Sequence, residues 1–301
     1  MKNMRIYNGS TLAHEMDKTC PGVILAIEYI PDKNAICVSL SDRTFLFYDA
    51  GTATYKQLRK FNLPCTQKCL CYVQRKRALF SAGTEGATFA WLIDKIFKNE
   101  YFEDLNDKAN EKQEMEYQNF TCENTPWFLG SIASCIVDLE NIEQIATGAY
   151  TMRIELWELR NDSNQELPAI DLEERGSLAG KTNASQVSKG KKKGSSTGGG
   201  KSNKGNTVDI GDDVAKEATK KLVGHKRAIR EIAYSSDYKI LVSVGFDFQV
   251  FVWNPYWENY IIKLDGHESP LVGVNCPKGL ECFITCDTKG MINVWNIKDY
   301  S

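Results

Sequence analysis

The sequence predicts an all-β fold, a β-propeller built from repeated four-stranded blades. Its last quarter contains one pattern twice: Gly224–His225 precedes Trp253–Asn254, and Gly266–His267 precedes Trp295–Asn296. Both intervals from His to Trp are 28 residues, and the second copy lies 42 residues after the first. A period in the low forties, with Gly-His at one end and Trp-Asn at the other, is typical of a propeller blade.

Each Trp is predicted to close a short strand that follows a tight turn. In Leu241–Pro255, an apolar run to Val244 predicts a buried strand, and Gly245–Asp247 predicts the turn. The alternating residues up to Trp253 predict the following strand. Four other segments fit the same frame: Cys37–Gly51, Leu79–Ile93, Ile145–Leu159 and Phe283–Ile297. The sequence therefore predicts five recognisable blades, of which the first closes on Tyr and not on Trp.

A partial blade is predicted before these five. Met4–Met16 resembles the end of a blade, with Tyr7 in the closing position, so the chain is expected to begin inside a blade. Two later intervals exceed the period, with 66 residues from Trp91 to Trp157 and 96 from Trp157 to Trp253. Either the N-terminal strands pair with the last blade and close a small ring, or the chain is part of a larger ring, such as one of seven blades. We expect the second arrangement.

These motifs resemble the WD-repeat β-propeller family over most of the chain outside two insertions. In that family a His, a Ser or Thr, an Asp and a Trp of one blade form a hydrogen-bonded structural tetrad. The resemblance assigns these roles to His225, Ser243, Asp247 and Trp253, and in the last blade to His267, Thr285 and Trp295. Lys289 occupies the remaining position of the last blade and Asp287 lies two residues earlier, so the resemblance supplies no matching Asp there.

The three earlier blades carry degenerate versions of the pattern. The position ten residues before the closing aromatic is Val38, Ser81 and Thr147 in these blades, and none of them has a Gly-His pair. Such decay makes the blade boundaries less distinct, but the period still predicts the same fold.

A narrower resemblance links Gly224–Tyr256 to the WD-repeat proteins of cilia and flagella, in which the Gly-Phe-Asp turn and the closing Trp-Asn-Pro recur. It implies a non-catalytic protein-interaction scaffold, a structural or docking component of the ciliary axoneme whose partners are other axonemal proteins. The alternative is a cytoplasmic WD-repeat adaptor, such as a substrate receptor of a ubiquitin ligase or a subunit of a trafficking complex.

Composition indicates a soluble globular protein. The chain has 301 residues, of which 42% are hydrophobic and 25% charged, and its net charge is −2. A charge so near zero argues against a membrane or nucleic-acid role for the whole protein. No apolar run approaches the roughly 18 residues of a membrane helix, and no signal peptide is recognisable. A cytoplasmic protein is therefore expected.

No metal, cofactor or catalytic site is expected. The ten cysteines are interpreted as reduced, because several lie inside strand patterns and no secretory signal precedes them. Cys65, Cys69 and Cys71, like Cys282 and Cys286, lack a second Cys or His pair at the spacing of a zinc site. A Ser-His-Asp set cannot be assembled without dismantling a blade.

Two insertions interrupt the repeat. The first, residues 98–125, is acidic, with eight Asp and Glu residues against three Lys. The second covers residues 161–221, and its Lys/Gly/Ser-rich middle, residues 180–205, holds seven Lys and no acid and is predicted to be disordered. Lys191, Lys192 and Lys193 form its densest basic run. We interpret it either as a passive loop or as a basic arm that binds an acidic partner. That partner would be the acidic tails of tubulin in a ciliary protein, and RNA or DNA otherwise.

The family resemblance also predicts which residues face partners. The residue just before the tetrad-Asp position points toward the face where the tight turns converge, and these residues are Ser41, Thr84, Tyr150, Phe246 and Thr288. Tyr150 and Phe246 are the preferred candidates, because exposed aromatic side chains commonly anchor interfaces. The alternative is that both pack against neighbouring loops.

Overall fold

The strands form antiparallel sheets in the order in which they occur in the chain. The computed structural model describes residues 2–98, 128–159 and 218–301. A two-stranded leading sheet consists of β1 (Asn3–Tyr7) and β2 (His14–Thr19). Blade I consists of β3 (Ile24–Ile30), β4 (Ala35–Leu40), β5 (Thr44–Asp49) and β6 (Gln57–Asn62). Blade II consists of β7 (Gln67–Val73), β8 (Ala78–Gly83), β9 (Ala87–Leu92) and β10 (Phe128–Leu129).

The remaining sheets repeat the same arrangement. Blade III consists of β11 (Ala133–Leu139), β12 (Gln144–Ala149), β13 (Arg153–Glu158) and β14 (Lys220–Val223). Blade IV consists of β15 (Ile229–Ser235), β16 (Ile240–Gly245), β17 (Val250–Trp253) and β18 (Tyr260–Leu264). Blade V consists of β19 (Leu271–Asn275), β20 (Cys282–Asp287) and β21 (Ile292–Asn296). The helix α1 (Ile93–Lys98) directly follows β9.

The predicted strand-turn-strand frame is confirmed in all five blades. In blade IV, the frame at Leu241–Pro255 corresponds to β16 and β17, which pair from Leu241 opposite Trp253 to Val244 opposite Val250. Both strands are buried along their whole length. Strands covered on both faces appear in a sequence as nearly continuous apolar runs, as they do here.

The core lies between consecutive sheets and not inside any one of them. Phe45, Phe47 and Phe61 of blade I pack with Phe89 and Trp91 of blade II. Equivalent apolar layers join the leading sheet to blade I, blade II to blade III, blade III to blade IV, and blade IV to blade V. Each sheet therefore buries its faces against its neighbours in sequence, which is the packing of a propeller.

Four of the five blades have four strands, and among the described residues blade V has three. After β21 the Asn296 N–H donates to the Ser301 carbonyl at 3.0 Å. The sequence left two arrangements open, and pairing of the N-terminal strands with the last blade is not seen in the described residues. β1 pairs with β2 and not with β21, and Met4 and Ile6 pack on blade I. The insertions at 98–125 and 161–221 lie almost wholly outside the described residues.

Strand β21 exposes apolar side chains that are buried in the preceding blade. Val250 and Val252 of β17 are 1% and 0% exposed because blade V covers them, whereas Ile292 and Val294, one period later, are 65% and 61% exposed. Among the described residues, β21 pairs only with β20. An unpaired edge strand with an apolar face favours association.

Candidate functional site

Blade IV holds a continuous chain of hydrogen bonds around His225. His225 Nδ1 lies 2.9 Å from Asp247 Oδ2, and His225 Nε2 lies 2.7 Å from Ser243 Oγ. The indole N–H of Trp253 donates to the same Ser243 oxygen at 2.8 Å. Since an ionised carboxylate can only accept, the Nδ1–H of His225 donates to Asp247. The Ser243 oxygen accepts the indole N–H, and its own proton can then be donated to His225 Nε2.

The Gly of each Gly-His pair makes room for the Trp that closes the blade. A Cβ at Gly224 would lie 2.8 Å from the Trp253 ring, and one at Gly266 would lie 2.9 Å from the Trp295 ring. Any larger residue would push the indole away from its hydroxyl partner. The two ends of the sequence signature are thus in direct contact in the folded chain.

Blade V builds the same hydrogen-bond chain with a different carboxylate. His267 Nε2 lies 2.8 Å from Thr285 Oγ1, and the Trp295 indole N–H donates to that oxygen at 2.9 Å. His267 Nδ1 lies 3.2 Å from Asp287 Oδ2. The family spacing, counted from Trp295, puts Lys289 at the position of the tetrad Asp. In the structure Asp287, at the end of β20, takes this role. Asp287 lies one period after Gly245, so its side chain approaches the His from the strand and not from the turn.

The pKa of Asp287 makes this arrangement testable by pH. Burial opposes ionisation, but hydrogen bonds from His267 and from the backbone N–H groups of Lys289 and Met291 lower the pKa to about 2. An unfolded Asp titrates near pH 4. Between about pH 4 and pH 2, Asp287 is therefore protonated in the unfolded chain but still ionised in the folded chain. The free energy of unfolding falls as the pH decreases through this range.

Asp287→Asn should remove this part of the acid dependence. Urea unfolding measures the free energy of unfolding of the wild type and the variant at each pH. The difference between the two should be constant above about pH 4.5 and should fall toward zero as the pH approaches 2. A difference that stays constant down to pH 2 would contradict the assignment of Asp287 to the hydrogen-bond chain.

The degenerate blades keep part of the same geometry. The indole N–H of Trp91 donates to Ser81 Oγ at 2.8 Å, and that of Trp157 donates to Thr147 Oγ1 at 3.0 Å. In blade I, where Val38 offers no hydroxyl, Tyr48 OH lies 3.7 Å from Cys20 Sγ of the leading sheet. A hydroxyl partner for the closing Trp is thus retained in blades that lack the His.

The five residues expected to face partners differ in exposure. Tyr150 is 43% exposed, Ser41 and Thr288 are exposed, and Thr84 and Phe246 are half-buried. The ammonium group of Lys68, in blade II, lies 4.8 Å from the centre of the Tyr150 ring, in blade III. Lys191, Lys192 and Lys193 lie outside the described residues.

The first strand of every blade contains one residue that is skipped in the pairing register, as in a β-bulge. These residues are Leu25, Lys68, Ser134, Arg230 and Val272. All five line one cavity of about 330 Å³ between the first strands of the blades. These five residues were not predicted from the sequence. Lys68, the second residue of the apolar strand β7, is unusual for a buried strand and could have indicated the bulge. The cavity is therefore lined by cations at two of its five bulges.

The two carboxylates of this cavity are already used between blades. Glu28 accepts the backbone N–H of Tyr72 at 2.9 Å, and Glu231 accepts that of Val274 at 3.0 Å. Burial raises the pKa of both carboxyl groups. Each joins the first strand of one blade to that of the next, so these acids hold blades together.

The cysteines described by the structure are free thiols, and most of them are buried. Burial raises the pKa of the Cys65 and Cys135 thiols to about 12, so neither ionises near neutral pH. Within residues 2–98, 128–159 and 218–301, no group of three or more His, Cys, Asp or Glu side chains is placed to hold a metal ion. In the same residues no helix is long and apolar enough to cross a membrane.

Comparison with known proteins agrees with this geometry. Residues 216–254 match the family "WD domain, G-beta repeat". This segment is a WD repeat. It contains β14 together with β15, β16 and β17, so the WD repeat begins with the last strand of blade III and ends within blade IV. The repeat in sequence is thus displaced by one strand from the blade in space, and each repeat joins two neighbouring sheets.

Curated relatives match the chain over about a quarter of its length. "Cilia- and flagella-associated protein 337 B" of Tetrahymena thermophila is 43% identical over 77 residues, which are 26% of this chain and 6% of that protein. "Protein hir1" of Schizosaccharomyces pombe is 29% identical over 82 residues, and "Protein HIR1" of Cryptococcus neoformans is 34% identical over 87. These matches cover 27% and 28% of this chain and 9% and 10% of those proteins. The chain therefore matches a tenth or less of each relative.

Proposed function

We propose that this WD-repeat chain is a non-catalytic docking component of the ciliary axoneme. The observation that carries the proposal is the 43% identity over 77 residues to a cilia- and flagella-associated protein. WD-repeat propellers in general serve as protein-interaction scaffolds. The relatives also include proteins named HIR1, so localisation is the property that must be tested.

His225, Ser243 and Asp247 lie close together in blade IV, and their place in the tetrad supports a structural role for them. The Ser243 hydroxyl is held between His225 and Trp253, and the residue is 0% exposed. A nucleophile needs access to a substrate. Here the hydroxyl is enclosed, so we assign these residues to blade stability.

The axonemal proposal is tested with a tagged chain expressed in ciliated cells, whose cilia are then stripped of membrane with detergent. We expect the protein to stay with the axoneme. If the turn face binds the partner, Tyr150→Ala combined with Phe246→Ala should raise the fraction of protein released from the axoneme at least several-fold. The matched control is Tyr256→Ala with Trp257→Ala, exposed aromatics at the opposite end of blade IV. A wild-type chain absent from cilia would end the proposal.

A second element of the proposal is the basic segment 180–205. Its seven Lys residues are suited to the acidic tails of tubulin. Deleting residues 180–205 should lower co-sedimentation with microtubules several-fold at low salt, and the difference should shrink at high salt as charges are screened. Unchanged binding after the deletion would remove the segment from the proposed interface.

A further inference from the structure

One end of blade IV exposes three aromatic rings within five residues of the chain. Tyr256 and Trp257 lie in the connection between β17 and β18 and are 46% and 66% exposed, and Tyr260, the first residue of β18, is 45% exposed. We call these three residues the aromatic patch. Strand β17 separates the patch from the Gly-Phe-Asp turn, so the patch is distinct from the turn face.

The backbone beside the two most prominent rings is already hydrogen-bonded. The N–H groups of Tyr256 and Trp257 donate to Asn254, the first to its Oδ1 at 2.9 Å and the second to its carbonyl at 3.0 Å. The ammonium group of Lys220, on β14 of blade III, donates to the carbonyls of Pro255 at 3.3 Å and Tyr256 at 2.6 Å. The connection is therefore held in place by its own blade and by the neighbouring one. Since these backbone groups are occupied, an added β-strand could not pair with this part of the chain.

The third ring is held by packing. Tyr260 pairs with Trp253 across β17 and β18, and its ring meets the Phe251 ring at 5.1 Å and the Trp253 ring at 5.8 Å, in both cases edge to face. A side chain that is already fixed loses little conformational freedom when a partner binds. Exposed Trp and Tyr side chains with such support are typical anchors of interfaces.

The aromatic patch offers a partner ring faces and hydrogen-bond donors. The indole N–H of Trp257 and the hydroxyls of Tyr256 and Tyr260 make no hydrogen bond to any residue that the structure describes. An indole nitrogen can only donate, so the partner must supply acceptors. The charges at the connection are Glu258 within it and Lys220 bound to its carbonyls, one of each sign. The patch therefore has no net charge that would select an acidic or a basic partner.

We propose that the aromatic patch binds a proline-rich segment of a partner protein in the polyproline II conformation. The backbone carbonyls of such a segment have no internal hydrogen bonds, so they can accept from the indole N–H and the tyrosine hydroxyls. Its proline rings pack on the aromatic faces, and it needs neither charge nor a free strand edge for recognition. The chain would thus hold a second partner at the end of blade IV opposite to the turn face. This goes beyond the axonemal proposal and does not depend on a ciliary location.

The test is selection of random twelve-residue peptides displayed on phage against the full chain. Peptides recovered by the wild type should be enriched in Pro at two or more positions. The enrichment should disappear with Tyr256→Ala combined with Trp257→Ala. It should persist with Tyr7→Ala combined with Tyr29→Ala, which removes two half-exposed rings from the leading sheet and blade I.

Affinity for the most enriched peptide is then measured by fluorescence anisotropy. Tyr256→Ala with Trp257→Ala should weaken binding at least about tenfold, because both ring contacts are lost. Trp257→Phe keeps a ring but removes the indole N–H, so it should weaken binding by a smaller factor. Circular dichroism confirms that each variant is folded.

Three results would overturn the proposal: no enrichment in Pro, equal enrichment on the two double variants, or enrichment in Lys and Arg in place of Pro. The double variant at the aromatic patch is expected to stay with the axoneme, because the axonemal partner is assigned to the turn face. Failure of peptide binding would therefore leave the axonemal test unaffected, and absence from cilia would not affect peptide binding.

Discussion

Trp253→Ala is expected to lower the free energy of unfolding by about 4 kcal/mol. The indole is fully buried, stacks on Phe251 at 5.4 Å and meets the edge of Tyr260 at 5.8 Å. Its removal leaves a cavity between blades III and IV and takes away a hydrogen bond to Ser243. Equilibrium unfolding in urea measures the loss.

Trp295→Ala provides the matched comparison within the same chain. Trp295 donates an equivalent hydrogen bond, to Thr285, but it is only half-buried and stacks on a single ring, Phe283, at 6.2 Å. Its loss should cost about 2 kcal/mol, since less apolar surface returns to water. Equal losses at the two positions would show that the hydrogen bond, and not packing between blades, dominates the contribution of the closing Trp.

Gly83→Ala is expected to destabilise the chain by about 3 kcal/mol, because the substitution overpacks a backbone contact. A Cβ at Gly83 would lie 1.9 Å from the Thr66 carbonyl oxygen and 2.9 Å from Gln67 Cα. Neither atom belongs to a flexible side chain, so β7 would have to move away from β8. This would disturb the bulge at Lys68, which lines the cavity between the first strands.

Gly9→Ala is the control for Gly83→Ala. No atom lies within 4 Å of a Cβ at Gly9, and a Gly-to-Ala change at an unstrained position usually stabilises by up to about 1 kcal/mol through the unfolded state. The two substitutions should therefore differ in sign when their urea midpoints are compared. A Gly83→Ala midpoint within error of the wild type would contradict the close approach of β7 and β8.

The blade frame was predictable because it depends on local chemistry. Gly224 and His225 lie at one end of the WD repeat and Trp253 at the other, and their spacing follows from the lengths of the intervening strands and turns. The apolar run of β16 and the Gly-Phe-Asp turn have the period of buried strands and a hairpin. Both features act within about 30 residues of the chain, so a single sequence is sufficient to reveal them.

Asp287 could not be assigned in this way. The family pattern counts residues from the closing Trp, but a carboxylate can reach the His either from the turn, as Asp247 does, or from the last position of the strand. Distance from Trp295 alone does not distinguish these routes. The structure does, because Asp287 Oδ2 lies 3.2 Å from His267 Nδ1.

Turn conformations were also hidden from the sequence. Asn34, Arg77, Glu143 and Lys239 occupy equivalent connections between the first two strands of blades I to IV, and all have φ between 46° and 54°. Side chains other than Gly and Asn seldom take this left-handed conformation. Asn34 is of a type that favours it, but Arg77, Glu143 and Lys239 are not, so residue type does not predict the turn in blades II to IV.

The amino-acid sequence was sufficient to predict the propeller blades and the tetrad of blade IV. Both depend on the short-range periodicity of the strands and on the spacing of a few characteristic residues. The cavity between the first strands required the three-dimensional arrangement. Lys68 and Arg230 are more than 160 residues apart, and they line one cavity because bulges at the same place in blades II and IV point them to a common space. Proximity of this kind comes from packing between blades, for which a single sequence carries no local signal.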